Sequence, residues 1–243
     1  NALAHTPGVR RIALAVSPQR YAMAVAMAAR ISARPIMVFD STDTLLDTLR
    51  TALSYLRAPL GVTTAQPAPA PPGPERREAP GPNQAMGQAD EAADAPRWLV
   101  LHAGNRPFLS PEHLSAALAL AERCGEGVVM AVPMKDTVKT VSTDGRVVHT
   151  PDRSRLWSLQ TPLVLPFAEV ERALAAMTRP APPVPLIGLS NALGLPARIC
   201  PGTHDNIAVT SPQTLALAEA LCEFNAIEQQ NGRSHEQPRG HWL

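Results

Sequence analysis

Hydrophobic positions along this chain fall into short unbroken runs separated by longer stretches of helical period. Residues 12–16 (IALAV) alternate little, the pattern of a strand buried on both faces, and Ser17-Pro18 follows as a helix start. Serine there caps, and proline takes the first helical position, where its missing N–H costs nothing. A helix is predicted over residues 19–31 and a second strand over 36–39. Ser41 or Thr42 then caps a helix whose Leu45, Leu49, Leu53 and Leu56 recur every three or four residues, enough for one apolar face. Runs at 98–102 and 128–132 read as further strands. Between them Ser110-Pro111-Glu112 opens a helix to about residue 123. Residues 137–150 are rich in β-branched side chains around Asp144-Gly145, the strongest short hairpin signal in the chain. Residues 167–177 are predicted helical, 197–200 a short strand, and Ser211-Pro212 opens a last helix ending near residue 224. Strands alternating with helices predict an α/β fold with a parallel sheet covered on both faces. The hairpin lies outside that rhythm and is expected to project as an arm, at about residues 136–157.

The pattern collapses over residues 59–96 into Pro, Ala, Gly and scattered charge, as in APAPPGP and EAPGP. Such a stretch buries too little apolar surface to offset chain entropy and is expected to be a disordered insertion. The folded part is then one α/β domain formed by residues 1–58 and 97–226, with a flexible polar tail over 227–243. Lys and Arg number 22 against 21 Asp and Glu, so no basic stripe points to nucleic acid. No apolar run approaches about 18 residues, which predicts no membrane span. The run at 12–16 is too short for the core of a signal peptide. Three scattered cysteines, Cys124, Cys200 and Cys222, lack metal-ligand spacing and read as reduced, buried thiols of a cytoplasmic protein. The chain opens at Asn1 rather than a methionine, as expected of a fragment or a processed form.

Three segments between residues 98 and 162 carry chemistry: LVLHAGNRPFLSP, AVPMKDTVKTV and TPDRSRLWSLQTP. Single residues in them have plain readings. Arg106 suits an ordinary loop salt bridge, Arg153 and Asp152 suit a pair with each other, and Trp157 suits packing. His102 ends a strand and suits either a base or metal ligand, or a histidine hydrogen-bonded in place. Order and spacing together say more. The three segments closely resemble the 2-C-methyl-D-erythritol 4-phosphate cytidylyltransferases, which join a cytidine nucleotide to a sugar-alcohol phosphate in non-mevalonate isoprenoid synthesis. The resemblance implies a Rossmann-like nucleotidyltransferase sandwich with a protruding β-arm, and a homodimer that exchanges its arms. It assigns Arg106, Thr137, Lys139, Arg153 and Thr161 to the sugar-phosphate side of the site. Arg153 fits that role because a planar guanidinium engages phosphate bidentately.

The same resemblance marks positions without charge. The family opens with a strand and a glycine-rich, lysine-bearing phosphate loop, whereas NALAHTPGVRRIALAVSP is similar to its second strand. Ala103 stands where the family has a metal-holding Asp. Ala208, in NIAVTSP, stands where it has a phosphate-contacting Lys, and Leu45 where it has an Arg near the nucleotide. Asp205 remains as a residual metal contact or a plain loop carboxylate. The resemblance implies CTP as donor with Mg2+ as its counter-ion, and the empty positions predict weak handling of both. The expected function is therefore a cytidylyltransferase of weak or absent turnover. The alternative is an inert paralogue that dimerises, binds phosphate, and completes a mixed dimer with an intact copy. Whether the preferred polyol phosphate is methylerythritol phosphate or ribitol phosphate is left open at this level.

Overall fold

The computed structural model describes residues 2–31, 36–57, 96–177 and 183–230. The Pro-rich insertion, apart from Pro96, and the tail beyond residue 230 lie outside the described residues. A short helix α1 (Ala2–His5) precedes β1 (Ile12–Val16), a 3-10 turn (Pro18–Arg20), α2 (Tyr21–Ile31), β2 (Ile36–Asp40) and α3 (Leu45–Arg57). After the insertion come β3 (Trp98–Leu101), α4 (Pro111–Cys124), β4 (Gly127–Pro133), β5 (Thr140–Val141) and β6 (Val147–His149). The chain ends with β7 (Trp157–Pro166), α5 (Phe167–Ala176), α6 (Leu189–Ala192), β8 (Ala197–Pro201) and α7 (Pro212–Gln230).

The sheet differs from the expected all-parallel one. The four-stranded sheet runs in the order β3-β7-β4-β8. Its central strand, β7, pairs antiparallel with both neighbours, and only β4 and β8 are parallel. Sequence patterning missed β7 because Pro162 and Pro166 interrupt it, and proline demotes a strand reading. Along β7 the side chains alternate as a pleated strand requires. Leu163 and Leu165 enter one apolar cluster with Leu49, Leu53, Phe167 and Val170, while Val164 enters the other with Leu114, Ala117 and Met130. Helices thus cover both faces, as predicted.

β1 and β2 form a separate parallel pair, Ile12 opposite Ile36 through Val16 opposite Asp40. Among the described residues no ladder joins β1 to β3. A cavity of about 450 Å3 is lined by both strands, with Ile12 and Ala13 from β1, Leu99 from β3, Leu49 and Leu56 from α3, and Leu118 from α4.

Caps follow the sequence in some places and not in others. Ser110 accepts from the His113 N–H at 3.2 Å, and Gly125 closes the same helix with φ 66°. Ser211 likewise accepts from Thr214 N at 3.2 Å. Ser17 makes no side-chain cap, and a 3-10 turn precedes α2. α3 is capped by Thr44, which accepts from Asp47 N at 3.1 Å, instead of by Ser41 or Thr42. α7 runs to Gln230, past the expected end near residue 224. Cys200 is buried, Cys124 half-buried and Cys222 exposed, so the buried-thiol reading fails for Cys222.

The buried leucines of β7 hold both helical layers. Leu163→Ala is expected to cost about 2–5 kcal/mol, the range for a leucine deleted from a closed core. Chemical denaturation with an unchanged m-value checks it.

Candidate functional site

Where β7 passes between β3 and β4 its ladder is interrupted. Val129 pairs with Leu163, but the next residue, Met130, pairs with Gln160, so Thr161 and Pro162 have no partner in β4. Such a bulge re-aims side chains at the rim of a sheet. On the other side, Leu163 pairs with Leu101, the last residue of β3. Thr161 therefore sits beside the loop that begins at His102.

Five residues meet there. The Ala103 N–H donates to Thr161 Oγ1 at 3.2 Å, and Thr161 Oγ1 lies 3.0 Å from His102 Nδ1. His102 Nε2 lies 2.9 Å from the Arg106 carbonyl. The Arg106 guanidinium donates to the Asn206 carbonyl, and the Asn206 amide donates to the Thr161 carbonyl at 2.9 Å. Thr161 and Asn206 are buried, whereas His102, Ala103 and Arg106 are partly exposed. The loops are also tied through their backbones, Arg106 N to Ala103 O at 3.0 Å and Val209 N to Asn105 O at 2.8 Å. Next to this cluster Gln160 donates to Thr203 O at 2.7 Å. Gln160 Oε1 and Asn206 Oδ1 are buried without a hydrogen-bond partner.

Electrostatics follow from burial. Burial lowers the His102 pKa from its ordinary value of 6.5, against the opposing pull of the Arg106 carbonyl. Burial also lowers the Arg106 pKa. Among the described residues no carboxylate forms an ion pair with Arg106. A guanidinium held by a carbonyl and without a carboxylate partner keeps N–H donors of the kind that pair with carboxylate or phosphate.

The other three assigned residues stand apart from this cluster. Thr137 and Arg153 are exposed at the foot of the β5–β6 hairpin. Arg153 donates to Lys135 O at 3.0 Å, and Lys139 to Thr150 Oγ1 at 2.7 Å. Asp152 is engaged by Ser154 and makes no pair with Arg153, so the simple ion-pair reading of those two does not hold. Leu45 packs against the apolar cluster under α3. His204 and Asp205 are exposed. Asn206 lies in the NIAVTSP segment; its amide donates to the Thr161 carbonyl and its own carbonyl accepts from Arg106, contacts that sequence does not display. Among the described residues no three His, Cys, Asp or Glu side chains group so as to hold a metal ion. With Ala103 in the loop after β3, residues 102–110 carry no carboxylate for Mg2+.

The mixed sheet, its covering helices and an arginine-bearing loop at the strand ends define a nucleotidyltransferase-like α/β protein. The sequence profile of the 2-C-methyl-D-erythritol 4-phosphate cytidylyltransferases (IspD) matches residues 82–223, more than half of the chain. The chain belongs to this family. It is 38% identical over 137 residues to the enzyme of that name from Syntrophotalea carbinolica, covering 56% of this chain and 58% of that one. With the one from Dehalococcoides mccartyi it shares 37% over 129 residues, covering 51% and 53%. The chain spans about half the length of these curated relatives. A crystal structure of a 4-diphosphocytidyl-2C-methyl-D-erythritol synthase superposes with a TM-score of 0.62 at 22% identity, covering 91% of this chain and 85% of that one. The synthase from Anaerococcus prevotii gives 0.59 at 18%, covering 88% and 82%. These likenesses show the fold. A bifunctional IspD/IspF enzyme from Desulforudis audaxviator is 37% identical over 131 residues, 51% of this chain and 31% of that enzyme. No helix among the described residues is long and apolar enough to cross a membrane.

Because burial depresses the His102 pKa, the unfolded chain takes up its proton first as pH falls. The stabilisation tied to neutral His102 is complete above 6.5 and is lost as pH drops from there through the folded value. The melting temperature is expected to fall across that window in the native chain, and His102→Gln to flatten the dependence. Calorimetry at a series of pH values checks it.

Proposed function

We propose that this chain supplies the sugar-phosphate side of a CTP-dependent cytidylyltransferase acting on 2-C-methyl-D-erythritol 4-phosphate, with turnover well below that of a fully charged site. The observation that carries the reading is Arg106. Its guanidinium is partly buried, anchored on the Asn206 carbonyl, and without a carboxylate among the described ion pairs. In the reaction a phosphate oxygen of the sugar phosphate attacks the α-phosphorus of CTP. A new P–O bond forms, the bond to the bridging β-phosphate oxygen breaks, and pyrophosphate leaves. The protein's share is to position the two phosphates and offset charge that spreads over them. Arg106 does this for the incoming phosphate. Ala103 and Ala208 bring none of the corresponding charge to the nucleotide, and each such loss costs on the order of 10²–10³ in rate.

Thr137 and Arg153 act in a neighbouring subunit's site, in a homodimer held by the hairpin. Val141, Val147 and Val148 support this, being 58%, 63% and 68% exposed on a two-stranded hairpin that no other strand among the described residues joins. The same exposure favours a second reading, in which the chain lends its arm to an intact paralogue in a mixed dimer and does no chemistry itself. Arg153 has one donor engaged by Lys135 O, which leaves the rest of its fork for a phosphate.

With CTP, Mg2+ and 2-C-methyl-D-erythritol 4-phosphate, pyrophosphate release is expected far below the ~1–10³ s⁻¹ usual for enzymes. A rate inside that range overturns the weak-turnover reading. In a mixed dimer with an intact family member, Arg153→Ala is expected to lower activity while leaving association unchanged. Unchanged activity in that dimer rules out lending of the arm.

A further inference from the structure

The contacts at the β7 bulge close into a ring whose direction is fixed by chemistry. A carbonyl only accepts, so the Arg106 carbonyl requires a proton on His102 Nε2, 2.9 Å away. Thr161 Oγ1 already accepts the Ala103 N–H, and its own proton points to His102 Nδ1, which the neutral ring leaves bare. Arg106 then donates to Asn206 O, and the Asn206 amide returns the chain to Thr161 O. Each residue donates to the next: Thr161 to His102, His102 to Arg106, Arg106 to Asn206, Asn206 to Thr161. At the His102 imidazole one conjugated group both accepts and donates, so its two bonds strengthen each other; the remaining links act by holding the pieces of chain together.

We infer that His102 and Asn206 are positioning residues: held in the Nε2–H tautomer by Thr161, His102 fixes the Arg106 backbone while Asn206 fixes its guanidinium, and together they aim one cation at an anionic phosphoryl ligand. The inference deepens the sugar-phosphate reading and rests on it for the identity of that ligand. Three separated pieces of chain contribute, the loop after β3, the bulge of β7 and the loop after β8. Between them His102 and Asn206 hold Arg106 at its backbone and at its guanidinium. The Thr161 hydroxyl is committed inside the ring and fully buried, so it acts through His102 instead of meeting solvent. Burial, which depresses the histidine pKa, favours the same neutral form that the ring requires.

Two readouts separate this from a merely structural role. The first is independent of any ligand. Nitrogen-15 NMR of the His102 ring in the full chain, at about pH 7, is expected to show Nε2 protonated and Nδ1 bare. Thr161→Val removes the partner of Nδ1 and is expected to mix the tautomers, with Thr161→Ser restoring the single one. A protonated Nδ1 in the native chain overturns the ring.

The second is affinity for 2-C-methyl-D-erythritol 4-phosphate by calorimetry. His102→Phe is expected to weaken binding about tenfold, the equivalent of one or two lost neutral hydrogen bonds. His102→Gln keeps a donor within reach of the Arg106 carbonyl and is expected to recover most of that loss. Equal affinity in native chain and folded His102→Phe overturns the positioning role. So does a loss that His102→Gln fails to restore at an unchanged melting temperature. If the native chain shows the expected tautomer yet binds no sugar phosphate, the ring stands, while the aiming of Arg106 at that ligand falls together with the sugar-phosphate reading.

Discussion

The interruption of the β7 ladder is the constraint from which the site follows. β7 is buried between β3 and β4 and must present its backbone groups to both. At Thr161-Pro162 it cannot do so toward β4, because the pairing skips both residues. A buried backbone carbonyl left without a donor costs about 1–3 kcal/mol. At Thr161 the donor comes from the Asn206 amide, drawn in from the loop after β8. The hydroxyl of the same residue takes the Ala103 N–H from the loop after β3. One irregularity in a strand thus gathers two loops, and the arginine that the first loop carries is set by their meeting. Without the bulge, Arg106 would be an ordinary loop cation.

Sequence made much of this legible where a signal is local. Unbroken apolar runs located β1, β3 and β4, Ser110-Pro111 and Ser211-Pro212 located two helix starts, and Asp144-Gly145 located the hairpin. The failures share a cause. β7 is the centre of the larger sheet, yet two prolines break its pattern, and its strand character comes from neighbours more than 20 residues away on the β4 side and farther on the β3 side. The parallel-sheet expectation failed with it, since an unseen strand cannot reverse a predicted direction. Thr44 caps α3 in preference to Ser41 or Thr42 because the helix begins at Leu45, two or three residues later than either of those caps would start it. Boundaries of this kind depend on packing, here of Leu45 and Leu46 against the apolar cluster.

In the site, what sequence could see was residue identity at matched spacing. Arg106 and Thr161 stood out that way, and the structure joins them through His102 and Asn206. Thr137 and Arg153 stood out equally, yet the structure keeps them at the foot of the hairpin. The work of Asn206 was invisible for a physical reason: one of its two ring contacts is made by its own backbone carbonyl, and the other is made to the carbonyl of Thr161. Backbone groups are the same in every residue, so no substitution pattern in a single chain reveals them.

The ring forms without using the side chains of Ala103 and Ala208. From Ala103 the ring takes only the N–H, which reaches Thr161 Oγ1, while the Ala103 carbonyl accepts from Arg106 N. A side chain at that position is not used, so exchanging carboxylate for methyl leaves those bonds in place. The loop around Ala208 is held the same way, by Asn206 N to Thr203 O, Ile207 N to Asp205 O and Val209 N to Asn105 O. Further ties come from the Asn206, Arg106 and Gln160 side chains, and the side chain of Ala208 takes no part. Geometry and charge are therefore separable in this site. The backbone and the pair His102–Asn206 supply the first, and the side chains at 103 and 208 bear only on the second. A substitution at either position changes side-chain charge while the hydrogen bonds that hold the Arg106 loop stay in place.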